Sequence, residues 1–446
     1  MKKLTQLLLP ICALPLFIAG CGGGSSEDIP ESISLVNANG TPALEDVYAY
    51  KDTAIASSAL NCSTLFLNSE SCDVSDIKPI GANLSTDVSL ADIENRLVVS
   101  HDWMASSFLA ALEEINDQDL LNLFKPINSI VLSYDTRPSF YHSYTASIYI
   151  DPRYLWRDSM EWDTIYEQDD YRSSYQTEFT FDSFWRYVDS NTNSYVTWSN
   201  SFNSYYNTRT SAQIAPGLFR LLAHELAHAN DFLPAELLSS LGSNGEIYSD
   251  YISSATHIHD DLNYESPLTS DLLFEAAKIA YQGSDMTDLI RNTSAAEAGN
   301  AFKDDGALAL YAYSASAEDV AMLFEAFMMY KKYGAIRDVA FVDIPAEESP
   351  SCSEYIVKWG QRNRLADSYV KERAILVANM ILDRDITLEL SSSQAINMEP
   401  GIDWCESRYT TTVASEDGAS NSLESSSFSM PQQQVIHDYK EDRLIE

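Results

Sequence analysis

The feature that most restricts the fold of this chain is an apolar run that carries two of its seven histidines. The run reads PGLFRLLAHELAHANDF and occupies residues 216–232. Its leucines recur at the three- and four-residue spacing of a helix, and proline is favoured in a first helical turn. The sequence therefore predicts a helix that begins at Pro216 and presents His224 and His228 on one face, one turn apart.

These two histidines have a spacing that is typical of a zinc site. Side chains four residues apart on a helix can both reach one Zn²⁺ at about 2.0–2.1 Å, while Glu225 lies where it can act on water at the metal. The competing interpretation is a surface helix with two solvated histidines, which the apolar surroundings disfavour because unpaired polar groups are costly there. Catalytic zinc usually has three protein ligands, so a third ligand is expected elsewhere.

One candidate for the third ligand is Glu246 in the segment NGEIYSD, which lies 18 residues after His228 and is followed one turn later by Asp250. The segment is similar to the NExxSD helix of thermolysin-like peptidases. It differs by an extra residue before the glutamate and by a spacing that is two residues shorter. Glu246 therefore remains an alternative ligand.

The other candidate is Glu318, in the segment LYAYSASAEDVAMLFEAFMMY at residues 310–330. The pattern predicts a loop that enters a long helix, which Ser316 would cap. Tyr311 and Ala312 precede Glu318, and together with HExxHxxD this arrangement resembles the metallopeptidase domain of anthrax lethal factor and the related titration-factor peptidases. The resemblance implies a zinc centre, formed by the ligands His224, His228 and Glu318, the general base Glu225 and the oxyanion donor Tyr311.

The resemblance is partial. Asp231 matches the aspartate three residues after the second histidine of that family and is expected to hold a ligand histidine or the helix end. Met322 stands where lethal factor has another glutamate, and Glu325 is expected to face elsewhere or to act behind the ligands. Tyr313 is an alternative to Tyr311 as the oxyanion donor. Residues 236–305 form a long insertion between the two motifs.

A further pair of histidines, His257 and His259, lies in the segment THIHDD. Residues two apart point to opposite faces of a strand. The pair would therefore share one metal ion only if the segment were a loop.

The N-terminus resembles a bacterial lipoprotein signal. Residues 1–20 contain two lysines and a short apolar run, and the IAGC box places Cys21 as the lipid-modified residue. An ordinary secretory peptide is the alternative. Since glycine rather than aspartate follows the cysteine, the resemblance implies lipid anchoring at the outer membrane, with residues 21–40 as a flexible tether.

Four cysteines remain after Cys12 of the leader and the lipid-modified cysteine are set aside. An even number in an exported chain predicts two disulfides. We favour pairing Cys62 with Cys72 and Cys352 with Cys405, although four cysteines allow three connectivities.

The charge is strongly acidic, with 28 Lys and Arg against 66 Asp and Glu and a formal net charge of −38. Such a chain repels phosphate backbones, so nucleic acid is excluded as an expected partner. A polysaccharide-active enzyme is a further possibility, but no pair of carboxylates is singled out by its spacing.

The predicted fold class is α+β, namely a mostly helical zincin-like domain with a small antiparallel sheet and disulfide-closed flanking segments. We expect a loop-rich segment at residues 41–95, the catalytic domain at 96–345, a disulfide-containing segment at 346–410 and a disordered acidic, Ser-rich tail at 411–446. Predicted elements within this frame are a helix from His101, two strands within 128–152 and a helix around 370–383.

The function predicted from these features is zinc-dependent peptide-bond hydrolysis by a membrane-anchored lipoprotein, with a peptide or protein as substrate. The alternative is a non-catalytic binding or adhesion lipoprotein on a peptidase-like scaffold. The presence of both histidines and Glu225 favours the enzyme, because a decayed enzyme would often have lost one of them.

Overall fold

The computed structural model describes residues 44–166, 175, 178–203, 207–347 and 350–409. The predicted leader, the predicted lipidation site Cys21, the predicted tether and the Ser-rich tail lie outside the described residues. Within the described ranges, none of the helices combines the length with the apolar character that a bilayer-spanning segment requires.

The N-terminal half of the described chain forms a five-stranded mixed sheet with strand order β1-β2-β3-β5-β4. Its strands are β1 (Tyr48–Ala49), β2 (Leu97–Val99), β3 (Ser129–Leu132), β4 (Phe140–His142) and β5 (Ser147–Ile150). The central strands β2, β3 and β5 are parallel, whereas β1 and β4 pair antiparallel at the edges. β3 and β5 lie in the region where strands were predicted, but both are buried along their whole length rather than on one face only.

A second, four-stranded sheet is antiparallel and has the order β6-β7-β8-β9. Its strands are β6 (Phe181–Asp189), β7 (Ala335–Asp343), β8 (Val357–Arg362) and β9 (Ile396–Asn397). The small antiparallel sheet of the α+β prediction is therefore present, but the sequence did not indicate these strands. Because β8 pairs with β7, the segment after residue 345 is joined to the preceding region by strand pairing.

Helices occupy most of the remaining described chain. They are α1 (Ala54–Ser63), α2 (Leu90–Glu94), α3 (Asp102–Ile115), α4 (Gln118–Asn122), α5 (Ser159–Trp162), α6 (Ser211–Phe232), α7 (Ala235–Ser240), α8 (Ile258–Glu265), α9 (Asp271–Gln282), α10 (Asp288–Arg291), α11 (Ala295–Lys303), α12 (Ser316–Tyr333) and α13 (Ser368–Leu382). The predicted helices at His101 and around 370–383 correspond to α3 and α13. At the centre of the molecule, α6 packs against α12, with α3 and α13 beside them.

Two predicted helix starts were wrong. α6 begins at Ser211 and contains Pro216, because Thr210 and Gln213 form a capping box that satisfies the first backbone N–H groups five residues earlier. α12 begins at Ser316, so this serine is not the cap; its hydroxyl instead accepts a hydrogen bond from the Asn263 amide.

The long helix α12 is buried on nearly every side from Ala317 to Met329. It ends at Tyr333 and is capped by Gly334, whose φ of 61° is favourable for glycine because a Cβ atom is absent. The chain then enters β7 directly. This short connection brings side chains of β7 against the buried face of α12.

Both predicted disulfides are confirmed. Cys62 pairs with Cys72 across a Cα–Cα distance of 5.4 Å, and Cys352 pairs with Cys405 across 5.6 Å. The second disulfide lies in a small apolar cluster with Trp404, beside the antiparallel sheet. It links the segment before β8 to the end of the described chain.

Candidate metal centre

The α6 helix presents the two predicted histidines to the interior of the molecule. His224 and His228 are only 8% and 4% exposed, and their ring centroids lie 5.0 Å apart with the ring planes at 81°. α6 is buried against α3 and α12 because its leucines and alanines cover most of its surface. The helix is therefore not the solvated surface helix of the competing interpretation.

Glu318, in the first turn of α12, meets both imidazoles. Its Oε2 atom lies 3.1 Å from Nε2 of His224 and 3.3 Å from Nε2 of His228. Two ligand atoms on one tetrahedral Zn²⁺ are separated by roughly 3.3–3.4 Å, given metal–ligand bonds of about 2.0–2.1 Å. The three side chains thus form a compact group of two nitrogens and one carboxylate that could hold a metal ion.

Tyr311 contacts the same carboxylate from the 3₁₀ turn Leu310–Tyr313. Its hydroxyl donates a hydrogen bond to Oε1 of Glu318 at 3.0 Å, and its ring lies nearly parallel to that of His224 at a centroid distance of 6.4 Å. The alternative donor, Tyr313, donates instead to Asp305. The loop therefore brings Tyr311, and not Tyr313, to the cluster.

Glu325 lies directly behind His224. Its Oε2 atom is 3.4 Å from Nδ1 of His224, and its side chain has no solvent exposure. Of the two positions expected for this residue, the structure shows the one behind the ligands. Seven residues are two helical turns, so Glu325 and Glu318 lie on the same face of α12.

Three further side chains surround the Glu325 carboxylate, and sequence reasoning missed them all. The Tyr187 hydroxyl donates at 2.7 Å, Arg337 lies 3.1 Å away and Arg220 lies 3.4 Å away. Arg220 precedes His224 by one turn of α6, and this spacing could have indicated that the two side chains share a face of the helix. Tyr187 and Arg337 come from β6 and β7, and nothing in the sequence indicated their positions.

The electrostatics of the cluster follow from burial and pairing. Burial of His224 lowers its pKa, but hydrogen bonds with Glu318 and Glu325 outweigh burial and raise the pKa to about 10. Burial of Glu318 opposes ionisation, yet the attraction of His228 and the hydrogen bonds from both histidines hold its pKa well below the usual range. For Glu325, burial is outweighed by Arg220 and His224, and the pKa falls to about 2. These shifts favour an ionised cluster in which His224 carries a proton.

Glu225, between the two histidines in sequence, is 4% exposed. Burial raises the pKa of its carboxyl group, and the attraction of His224 and His228 opposes that rise. A carboxylate with a raised pKa is a better proton acceptor than a solvated one. Its environment thus suits a general base.

The competing ligand Glu246 lies elsewhere. It precedes the π-helical turn Ile247–Tyr251; its carboxylate accepts a hydrogen bond from Ser249, and its backbone N–H donates to Asp250. Within the described ranges, the group of side chains at α6 that could hold a metal ion consists of His224, His228 and Glu318. The NGEIYSD segment instead pairs with the chain around Cys72, because the backbone N–H of Ile247 donates to the Cys72 carbonyl and that of Val74 donates to the Gly245 carbonyl.

Asp231 does not contact a histidine of α6. It accepts hydrogen bonds from the backbone N–H and the Nδ1 atom of His259, at 2.9 and 2.6 Å. Asp231 therefore ties the end of α6 to the start of α8. This is one of its two expected roles, that of holding the helix end.

No family model, curated protein or solved structure matches this chain significantly.

Proposed function

We propose that this chain is a zinc-dependent peptidase whose metal ion is held by His224, His228 and Glu318. The observation that supports the proposal is the approach of one carboxylate oxygen to both imidazole nitrogens, at 3.1 and 3.3 Å. The donor set also fits the metal, because two imidazoles and a carboxylate are a ligand combination found in catalytic zinc sites. The contact of His224 Nδ1 with Glu325 supplies the outer carboxylate that commonly orients a zinc-bound histidine.

A zinc ion in this position would act as a Lewis acid that polarises the scissile carbonyl and makes water more acidic. Glu225 would accept the proton of the attacking water and pass it to the nitrogen of the departing amine. Tyr311 would turn its O–H from Glu318 towards the developing oxyanion and stabilise its charge. All these groups are buried, so little water reaches them to screen their charges, and each electrostatic interaction is stronger than it would be in solution.

The fold proposal is that α6 and α12, with the structure packed around them, form a zincin-like domain. It rests on the motif resemblance to the lethal factor and titration-factor peptidases, and on the packing of the HExxH helix against the helix that carries Glu318. Of the two expected roles of Asp231, the contact with His259 supports that of holding the helix end rather than a ligand histidine.

The proposed location is the outer membrane, with the chain attached through lipid at Cys21. The leader, the IAGC box and the glycine after the cysteine support this location. The two disulfides also agree with an oxidising compartment outside the cytoplasm. The proposed substrates are peptides or proteins rather than nucleic acids, because the net charge of −38 repels polyanions.

The test measures zinc content and peptidase activity of the full chain purified in detergent. Elemental mass spectrometry would compare the parent with His224→Ala, Glu318→Gln and Glu246→Gln. We expect the zinc ion of this centre to be lost in His224→Ala, bound more weakly in Glu318→Gln and unchanged in Glu246→Gln. Loss of zinc in Glu246→Gln alone would instead support the thermolysin-like arrangement.

Activity would be followed on a fluorogenic peptide library, with Glu225→Gln as the matched variant. This substitution keeps the size of the side chain and all three proposed ligands, so zinc should remain. General-base catalysis typically contributes about 10²- to 10⁴-fold, and we expect kcat to fall within that range. A parent that binds zinc in this cluster but cleaves no peptide would favour the non-catalytic binding lipoprotein.

A further inference from the structure

A second group of metal-ligand side chains lies at the start of α8, apart from the centre described above. One donor atom from each of His257, His259 and Asp260 lies within 4.8 Å of the others. The two imidazoles are 6% and 9% exposed and stack at a centroid distance of 5.0 Å, whereas the Asp260 side chain is 53% exposed. Two buried nitrogens and a solvent-facing carboxylate thus share one small volume.

The ring nitrogens of both histidines lie too far from the Asp260 carboxylate for hydrogen bonds. Nδ1 of His257 lies 3.6 Å from Oδ2 of Asp260, and Nε2 of His259 lies 3.8 Å from Oδ1 of the same carboxylate. Ligand atoms around a tetrahedral zinc ion are roughly 3.3–3.4 Å apart. The two carboxylate contacts exceed this separation by up to about half an ångström. All three donor atoms lie within 4.8 Å of one another, so the group would contract around an ion.

His259 is oriented from behind by a buried carboxylate. Asp231 accepts from Nδ1 of His259 at 2.6 Å and has no solvent exposure, so Nε2 is the ring nitrogen that faces Asp260. A carboxylate on the far nitrogen is the usual support of a metal-bound histidine, because it fixes the ring and its tautomer. Asp231 performs this function for His259 and not for a histidine of α6.

His257 faces the group through its Nδ1 atom, which is the ring nitrogen that lies beside the Asp260 carboxylate. The residue is 6% exposed, so Nδ1 is withdrawn from bulk water. Nδ1 is therefore the atom of His257 that would bind an ion.

We infer that His257, His259 and Asp260 form a second site for a divalent transition-metal ion such as Zn²⁺. The chemistry of two imidazoles, one carboxylate and water from the exposed side suits zinc. The spacing of two residues is no obstacle, because His257 precedes α8 and His259 lies in its first turn. The ion would be structural. It would hold His257 and His259 at the start of α8, and His259 is in turn hydrogen-bonded to Asp231 at the end of α6. The inference does not depend on peptidase activity.

The test counts zinc ions per chain by native and elemental mass spectrometry, using the full chain equilibrated with Zn²⁺ in detergent. We expect two ions in the parent and one in His257→Gln and in Asp260→Asn. In the structure the backbone N–H of His257 donates to Oδ2 of Asp260 at 3.1 Å. The side-chain oxygen of asparagine can accept the same hydrogen bond, so Asp260→Asn should preserve the fold. The matched control is Asp261→Asn, an exposed neighbour outside the group, which should keep both ions.

The two sites are distinguished by combining variants. His224→Ala should retain the ion at α8, and addition of His257→Gln should then abolish zinc binding. Zinc should raise the Tm of His224→Ala but not that of the double variant. A parent with a single ion that only His224→Ala removes would overturn the second site. A single ion that only His257→Gln removes would overturn the proposed peptidase centre and leave this inference standing.

Discussion

Glu325 Oε2 lies 3.4 Å from Nδ1 of His224, while Nε2 of the same ring faces Glu318 at 3.1 Å. One imidazole thus bridges two buried carboxylates, with both nitrogens engaged. The Nδ1 contact remains possible when a metal ion takes Nε2, so Glu325 can keep the ring oriented and increase its basicity in the bound state.

Glu325→Gln should therefore weaken zinc binding without removing a ligand. Loss of an outer carboxylate behind a ligand histidine typically reduces metal affinity about 10- to 100-fold, and we expect an effect of that size. Competition with a zinc chelator of known affinity measures the change. Glu113→Gln, on the exposed face of α3, is the control and should bind zinc like the parent. Equal affinities in both variants would show that the Glu325 contact does not support the metal.

Zinc affinity should also depend steeply on pH. Hydrogen bonds to Glu318 and Glu325 raise the pKa of His224 to about 10, so the metal-free ring carries a proton at neutral pH that zinc must displace. Below pH 10, displacement of one proton makes the affinity rise about tenfold for each unit of pH. Chelator competition at pH 7, 8 and 9 measures the slope, and a slope of zero over this range would mean that His224 is already neutral.

The proposed ligands could be predicted from sequence because they belong to local patterns. The spacing of His224 and His228 is fixed by one helical turn, and Glu318 follows a recognisable loop at the start of α12. For Glu325 the sequence leaves two positions open, although its spacing of seven residues from Glu318 places both carboxylates on the same face of the helix.

The antiparallel sheet could not be predicted, because its pairing joins distant segments. Arg186 of β6 and Asp338 of β7 are partners in the strand register and form a 2.9 Å ion pair with no solvent exposure on either side chain. In the sequence these charges interrupt an apolar pattern and disfavour a buried strand. Their mutual neutralisation exists only in the folded chain, as does the contact of Arg362 with the same aspartate.

A stability prediction concerns the residue next to the proposed ligand. Asp319 forms a buried ion pair with Arg373 of α13, and the arginine also donates to the carbonyl of Gly306. Burial raises the pKa of Asp319 and Arg373 opposes the rise, so removal of the arginine leaves a carboxyl group without its compensating charge. Arg373→Met should lower the free energy of unfolding by about 3–5 kcal/mol, the usual cost of breaking a buried pair.

Urea denaturation of the metal-free protein measures this change. Arg384→Met is the matched control, because Arg384 follows α13 and its ion pairs with Glu389 and Asp119 are partly exposed. An exposed pair contributes less than about 1 kcal/mol, so this variant should resemble the parent. Similar losses in both variants would contradict a special role for the buried pair.

The last prediction separates two functions of Tyr311. In the structure its hydroxyl donates to Glu318 Oε1 at 3.0 Å, which braces the proposed ligand, whereas the proposed reaction requires the same hydroxyl at the oxyanion. Tyr311→Phe keeps the ring beside His224 and removes only the hydroxyl. If the oxyanion contact is the main function, kcat should fall about 10²- to 10³-fold while zinc content and KM change little. If bracing dominates, zinc affinity should fall, and kcat of the zinc-saturated variant should recover. Steady-state kinetics at saturating zinc, beside chelator competition on the same preparation, decide between the two, because only the bracing function can be restored by more metal.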